Sequence, residues 1–145
     1  MIEISKITLD DIMSVFMIEK ECFSDPWSVN MLMDCVSNER YAVFVAKTDK
    51  IIGYAGVVFS GDVADVVRIA VTKSCRNQGV GNMLFTHLLD YSFSNGADTV
   101  FLEVRTNNIP AKSLYEKFGG EKYGTRQNYY GGGIDADLYR FTKGE

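Results

Sequence analysis

A chain of 145 residues has the length of one domain, and at that size about two thirds of the unfolded surface is buried, so one packed core spanning residues 1–145 is expected. The composition, 46% hydrophobic and 23% charged with only two prolines, excludes a disordered or low-complexity protein. A formal charge of −4 argues against direct nucleic-acid binding, which needs many Lys and Arg contacts to phosphates, and suits a cationic substrate better.

The opening residues MIEISKITLDD carry acids and no long apolar run. Neither a signal peptide nor a membrane span is therefore expected, and a cytoplasmic location follows. Thr8 is placed to cap a first helix that carries Ile12, Val15, Phe16 and Glu19 and ends near Phe23. A turn at Ser24-Asp25-Pro26-Trp27-Ser28 leads into a second helix, capped by Ser28, with Met31, Leu32 and Cys35. YAVFVAK, IIGYAGVVF and VADVVRIAV then read as three strands, and the short turns between them make an antiparallel meander.

A helix after Gly81 sets Met83, Leu84, Leu88 and Tyr91 along one face and stops at Asn95-Gly96. His87 on that helix reads as a packed or surface histidine. Thr99 to Arg105 is a strand reached by a helical crossover, hence parallel to the strand ending at Val71. Pro110 suits the first turn of a last helix, with Ala111, Leu114, Tyr115 and Phe118 as its stripe and Gly119-Gly120 as its stop. EKYGTRQ and DLYRFTK are extended around a YYGGG loop. This order is that of an α/β domain with a mixed, mostly antiparallel sheet flanked by helices. Cys22, Cys35 and Cys75 are far apart and lack a Cys-x-x-Cys pair, so they read as reduced thiols, and no metal site is expected.

The loop Arg76-Asn77-Gln78-Gly79-Val80-Gly81 joins a strand to a helix. It is no P-loop, since no lysine follows either glycine, and Leu84 stands where a dinucleotide fingerprint needs a third Gly or Ala. What remains is the physics such loops share: backbone amides at a helix N-terminus, free of side-chain bulk, point partial positive charge at an anion. Arg76 and Lys73 add formal charge just before the turn. The same glycines could instead serve tight strand-to-helix packing.

Taken with its surroundings, this loop resembles the Gln/Arg-x-x-Gly-x-Gly/Ala acetyl-CoA loop of the GCN5-related N-acetyltransferase family, and Asn108-Ile109-Pro110-Ala111-Lys112-Ser113-Leu114-Tyr115 resembles its Asn-x-x-Ala-x-x-Leu-Tyr segment. The likeness covers nearly the whole chain. It extends to the bacterial RimI group of ribosomal-protein-alanine N-acetyltransferases through Asp25-Pro26-Trp27-Ser28, Ile69-Ala70-Val71, Leu102-Glu103-Val104-Arg105 and Arg126-Gln127-Asn128-Tyr129-Tyr130. Three positions depart from that group's pattern: Arg68 replaces Asn, Asp25 replaces Phe, and Gly120 replaces Phe.

The resemblance implies an acetyl-CoA-dependent N-acetyltransferase acting on the N-terminal alanine of a ribosomal protein, in the small subunit. It implies that Glu103 is the general base and Tyr115 the general acid. It further implies that Arg76, Asn77, Gln78, Gly79, Val80, Gly81 and Asn82 grip the donor's diphosphate, with Ile69, Ala70 and Val71 along its pantetheine arm. Asn108 bonds that arm or caps its own helix. Trp27, Tyr129 and Tyr130 are candidates for lining the peptide groove.

From the residues themselves, Glu103 shares a strand face with Phe101 and Arg105, where it is either a base or half of a solvated pair with Arg105. Tyr115 lies on an apolar stripe, but a phenol keeps its proton at neutral pH and could donate to a departing sulfur. A single carboxylate base has the easier task with an α-amine, reference pKa near 7.8, than with a lysine near 10.4, a gap of about 3.5 kcal/mol. A covalent acetyl intermediate on Cys75 is disfavoured, because no base neighbours it in sequence. The alternatives are a small-molecule amine or other protein N-termini as acceptor, and a non-catalytic acetyl-CoA-binding module.

Overall fold

The apolar runs between Tyr41 and Val71 fold as the expected meander, and the computed structural model, which describes residues 1–144, builds a seven-stranded sheet around it. The strands are β1 (Glu3–Lys6), β2 (Tyr41–Lys47), β3 (Ile51–Ser60), β4 (Val63–Val71), β5 (Thr99–Arg105), β6 (Glu121–Arg126) and β7 (Ala136–Thr142). Their spatial order is β1-β2-β3-β4-β5-β7-β6. Every pairing is antiparallel except β4 with β5, which the crossover helix makes parallel. Among the described residues the α-helices are α1 (Ile12–Cys22), α2 (Val29–Ser37), α3 (Val80–Ser94) and α4 (Ile109–Lys117).

Strand β2 is buried from Ala42 to Ala46 because both faces of the sheet are covered there. Ala42, Phe44 and Ala46 face α3, where they meet a cluster containing Leu84, Phe85 and Leu88. Val43 and Val45 point the other way, into a cluster with Val15 and Ile18 of α1 and Leu32 of α2. Each such aliphatic side chain contributes about 1.5–3 kcal/mol by leaving water. Gly53 permits the close approach of α3, since a Cβ there would lie 2.9 Å from the Ala70 carbonyl oxygen and 3.2 Å from Leu84.

Four expectations are corrected. Strand β1 was not anticipated: EISK offers one half-buried residue, Ile4, so no alternation marks it, and only pairing with β2 makes it extended. Thr8 stands at the N-cap of a short 3-10 turn, Leu9–Asp11, and not of α1 itself, which that turn precedes; its N–H and hydroxyl both donate to the Asp11 carboxylate. Helix α3 begins at Val80, directly after Gly79, so Gly81 lies within its first turn. Met83 is 38% exposed, because the buried stripe runs through Val80, Leu84, Phe85, Leu88 and Leu89. His87 packs edge-on against Phe44, with ring centroids 4.5 Å apart.

Candidate active site

The site begins with an irregularity in β4. Gly56 pairs with Arg68 but Val57 pairs with Val66, so Val67 is an extra residue that bulges the strand. A bulge bends its strand and increases its twist. The parallel ladder to β5 accordingly holds only from Val63 to Asp65, after which the two strands part. Between them opens a cavity of about 740 Å3, walled by Val66 to Ile69 of β4 and Leu102 to Arg105 of β5. Asn108 with Ala111 and Tyr115 of α4 lines one side, and Cys22 at the end of α1, Phe23 to Asp25 of the α1–α2 loop, and Tyr129 and Tyr130 line others.

Glu103 and Tyr115 thus meet in one cavity although they come from different elements. Strand alternation buries Val100, Leu102 and Val104 and leaves Glu103 half-buried on the opposite face. Burial raises the Glu103 carboxyl above its ordinary 4.5, and the charge of Asp65 adds to it; Arg126 and the residue's own backbone N–H pull the other way. Asp65, on the same face, is itself raised by burial. Arg105 makes no ion pair with Glu103 among the described residues. Its guanidinium lies over the Tyr130 ring, 4.5 Å from the centroid.

The Tyr115 ring is 6% exposed and packs against Phe85, Tyr139 and Phe141. Burial, then the neighbouring Tyr130, pushes its hydroxyl up to about 12, so the proton is held firmly at neutral pH. Tyr130 is half-buried and raised by burial and by Glu103. Tyr129, 44% exposed, meets Tyr130 edge-on at 5.0 Å and carries Arg126 over its ring. Asn108 caps α4, its Oδ1 accepting from the Ala111 N–H at 3.2 Å.

The glycine loop lies beyond the far end of β4. Asn77 and Gly79 have φ of 63° and 82°, and Gly79 is the N-cap of α3. A Cβ on Gly79 or Gly81 would meet nothing within 4 Å, so these glycines do not serve close packing. They leave the amides at the start of α3 uncovered, the arrangement that suits an anion. Val80 is buried, which leaves only its backbone for a ligand. Asn82 has a buried Oδ1 without a hydrogen-bond partner among the described residues. Arg76 folds back: its Nε donates to the Val71 carbonyl at 3.0 Å and a terminal nitrogen to Cys22 Sγ at 3.3 Å.

Trp27 does not line the cavity. Its backbone N–H donates to Glu19 at 2.7 Å, and its ring lies beneath the Arg68 guanidinium. Arg68 itself was read only as a departure from a pattern, and Asp65 was missed altogether. The signal for the first was present, since Glu19 is a carboxylate on an apolar helical stripe and needs a cation. Among the described residues no group of His, Cys, Asp and Glu is arranged to hold a metal ion, and no helix is long and apolar enough to cross a membrane.

Comparison with known proteins bears on this geometry. The sequence model of the acetyltransferase (GNAT) family matches residues 9–120. The chain is 33% identical over 128 residues to the [ribosomal protein bS18]-alanine N-acetyltransferase of Escherichia coli K12, covering 88% of this chain and 86% of that one. The crystal structure of the ribosomal-protein-S18-alanine N-acetyltransferase from Escherichia coli superimposes with a TM-score of 0.89 at 31% identity, over 100% of this chain and 97% of the other. NAA60 of Arabidopsis thaliana, solved in complex with acetyl-CoA, shares the fold at 17% identity with a TM-score of 0.88, over 98% of each chain. With a splayed β4–β5 pair, an uncovered glycine loop opening α3 and a family model matched over most of its length, the chain belongs to the acetyltransferase (GNAT) family and is an acetyl-CoA-dependent N-acetyltransferase.

Proposed function

We propose that this enzyme acetylates the α-amine of an N-terminal alanine on a ribosomal protein of the small subunit, by direct transfer from acetyl-CoA in the cytoplasm. The observation that carries the reading is the single cavity shared by a half-buried carboxylate and a buried phenol, Glu103 and Tyr115. The acceptor class is supported by the 33% identity to the Escherichia coli enzyme.

In this reading the diphosphate of acetyl-CoA sits on the amides between Arg76 and Asn82, and the pantetheine arm runs along Ile69, Ala70 and Val71 where β4 has left β5. A backbone N–H on that open edge polarises the thioester carbonyl. Glu103 takes the proton as the amine nitrogen bonds to the carbonyl carbon and the carbon–sulfur bond breaks. A base raised above 4.5 holds that proton better than an ordinary carboxylate would. Tyr115 donates to the leaving sulfur. With its hydroxyl near 12 and a thiol near 8.5, full proton transfer is uphill by about 3.5 units, roughly 5 kcal/mol, so it acts mainly as a hydrogen-bond donor to the forming thiolate. Trp27 supports the peptide groove from behind, and Tyr129 and Tyr130 flank it.

The test is acetyl transfer to an alanine-starting peptide alongside a panel of small amines, with Glu103→Gln as the paired variant. Peptide acetylation with turnover reduced by about 10²–10⁴ in the variant, and acetyl-CoA binding intact, is the expected result. Acetylation of small amines alone would sink the acceptor assignment, and undiminished turnover in the variant would sink the base.

A further inference from the structure

Arg68 does more than neutralise a buried charge. Its Nε donates to Glu19 Oε2 at 3.2 Å and a terminal nitrogen to Oε1 at 3.3 Å, while that same nitrogen donates to the Asp25 carbonyl at 3.0 Å. The guanidinium lies 4.0 Å from the Phe23 ring centroid and 4.8 Å from that of Trp27. Glu19 is fully buried on α1, and its third bond, from the Trp27 N–H, reaches the same loop. One side chain on the bulged stretch of β4 therefore holds residues 23 to 27 through hydrogen bonds and two aromatic faces. That loop is a wall of the cavity.

We propose that Arg68 is a positioning residue that sets acceptor specificity: the Arg68–Glu19 pair clamps the α1–α2 loop onto β4 and so fixes the wall against which the acceptor lies. This rests on the proposed acceptor site between β4, β5 and the loop. A planar fork satisfies Glu19 and the Asp25 carbonyl at once while presenting its faces to Phe23 and Trp27, which a lysine cannot do. The clamp acts on the loop rather than on the glycine turn. Its loss should accordingly weaken the acceptor and spare the donor.

Trp27 is the only tryptophan in the chain, so its fluorescence reports the clamp without reference to any acceptor. Removing Arg68 alone would strand a buried carboxylate, so the informative variant is the double substitution Glu19→Gln, Arg68→Met, which removes both charges and keeps similar volume. The expected result is acrylamide quenching of Trp27 increased about twofold as the loop opens locally. Peptide KM should rise about tenfold or more with acetyl-CoA KM little changed, as misplacement of one wall implies. Arg68→Lys, which keeps the charge and loses the fork, should fold like the parent and keep the raised peptide KM. Unchanged Trp27 quenching, equal rises in both KM values, or a parental peptide KM in Arg68→Lys would each overturn the clamp. Should the parent enzyme prefer small amines, the acceptor assignment falls while Trp27 quenching still decides the clamp.

Discussion

The role proposed for Tyr115 rests on one atom. The ring is core, packed among Phe85, Tyr139 and Phe141, and Tyr115→Phe would leave that packing intact while deleting the donor. The expected outcome is a loss of about 10²–10³ in kcat with little change in acetyl-CoA affinity, by analogy with removing one donor from a developing anion. The pH dependence tests the partner roles. A phenol near 12 gives no falling limb below about pH 10, and Glu103, raised above 4.5 by burial and by the charge of Asp65, adds only to a rising limb as it loses its proton. The kcat/KM profile with an α-amine peptide should therefore rise through about 7.8, the amine's own pKa, and then stay flat. Steady-state rates between pH 6 and 10 check this; a falling limb near neutrality would reject Tyr115 as the protonated donor.

Elements were legible in the sequence where their signal is local. The meander, the crossover and the stripe of α4 follow from periods of two and 3.6 and from turn residues, and so does the side of β5 on which Glu103 lies. Interactions across the chain were not. Arg68 and Glu19 are 49 residues apart, and their pairing exists only once α1 lies on β4. The bulge at Val67 sits in a run of ordinary strand formers, so nothing marks where β4 leaves β5. Gly120 is a similar case: a residue there is decided by Phe141, since a Cβ would lie 2.8 Å from that ring and 2.8 Å from the Tyr115 carbonyl oxygen. Gly120→Ala should cost about 1–3 kcal/mol through overpacking, measured by denaturant unfolding. Adding Phe141→Leu should recover part of that loss, because the ring is the softer of the two obstacles.

At the scale of the whole molecule the site is a place where the fold tolerates charge. Asp137 and Asp11 are buried carboxylates, each pushed up by burial but brought below the ordinary value overall: Asp137 by hydrogen bonds from Lys112 and Lys122, Asp11 by Thr8 and then Lys47. They stabilise the fold above about 3.8, and that stability is lost as pH falls through their lower native values. Glu103 and Asp65 have the opposite sign. Their native pKa is raised, so the folded state binds protons more tightly than the unfolded one, and ionisation at neutral pH costs stability. Glu103→Gln should accordingly raise Tm at pH 7, by a few degrees for each kcal/mol recovered. The gain should shrink as pH falls through the raised native pKa and vanish below about 4.5, where Glu103 is neutral in both states. Calorimetry of the two proteins across pH 4 to 7 measures this difference directly. A Tm gap that widens on acidification would mean that Glu103 is held as a favourable ion pair, and a carboxylate so held would be a poor base; a gap that closes ties the loss of stability to the same burial that makes the residue basic.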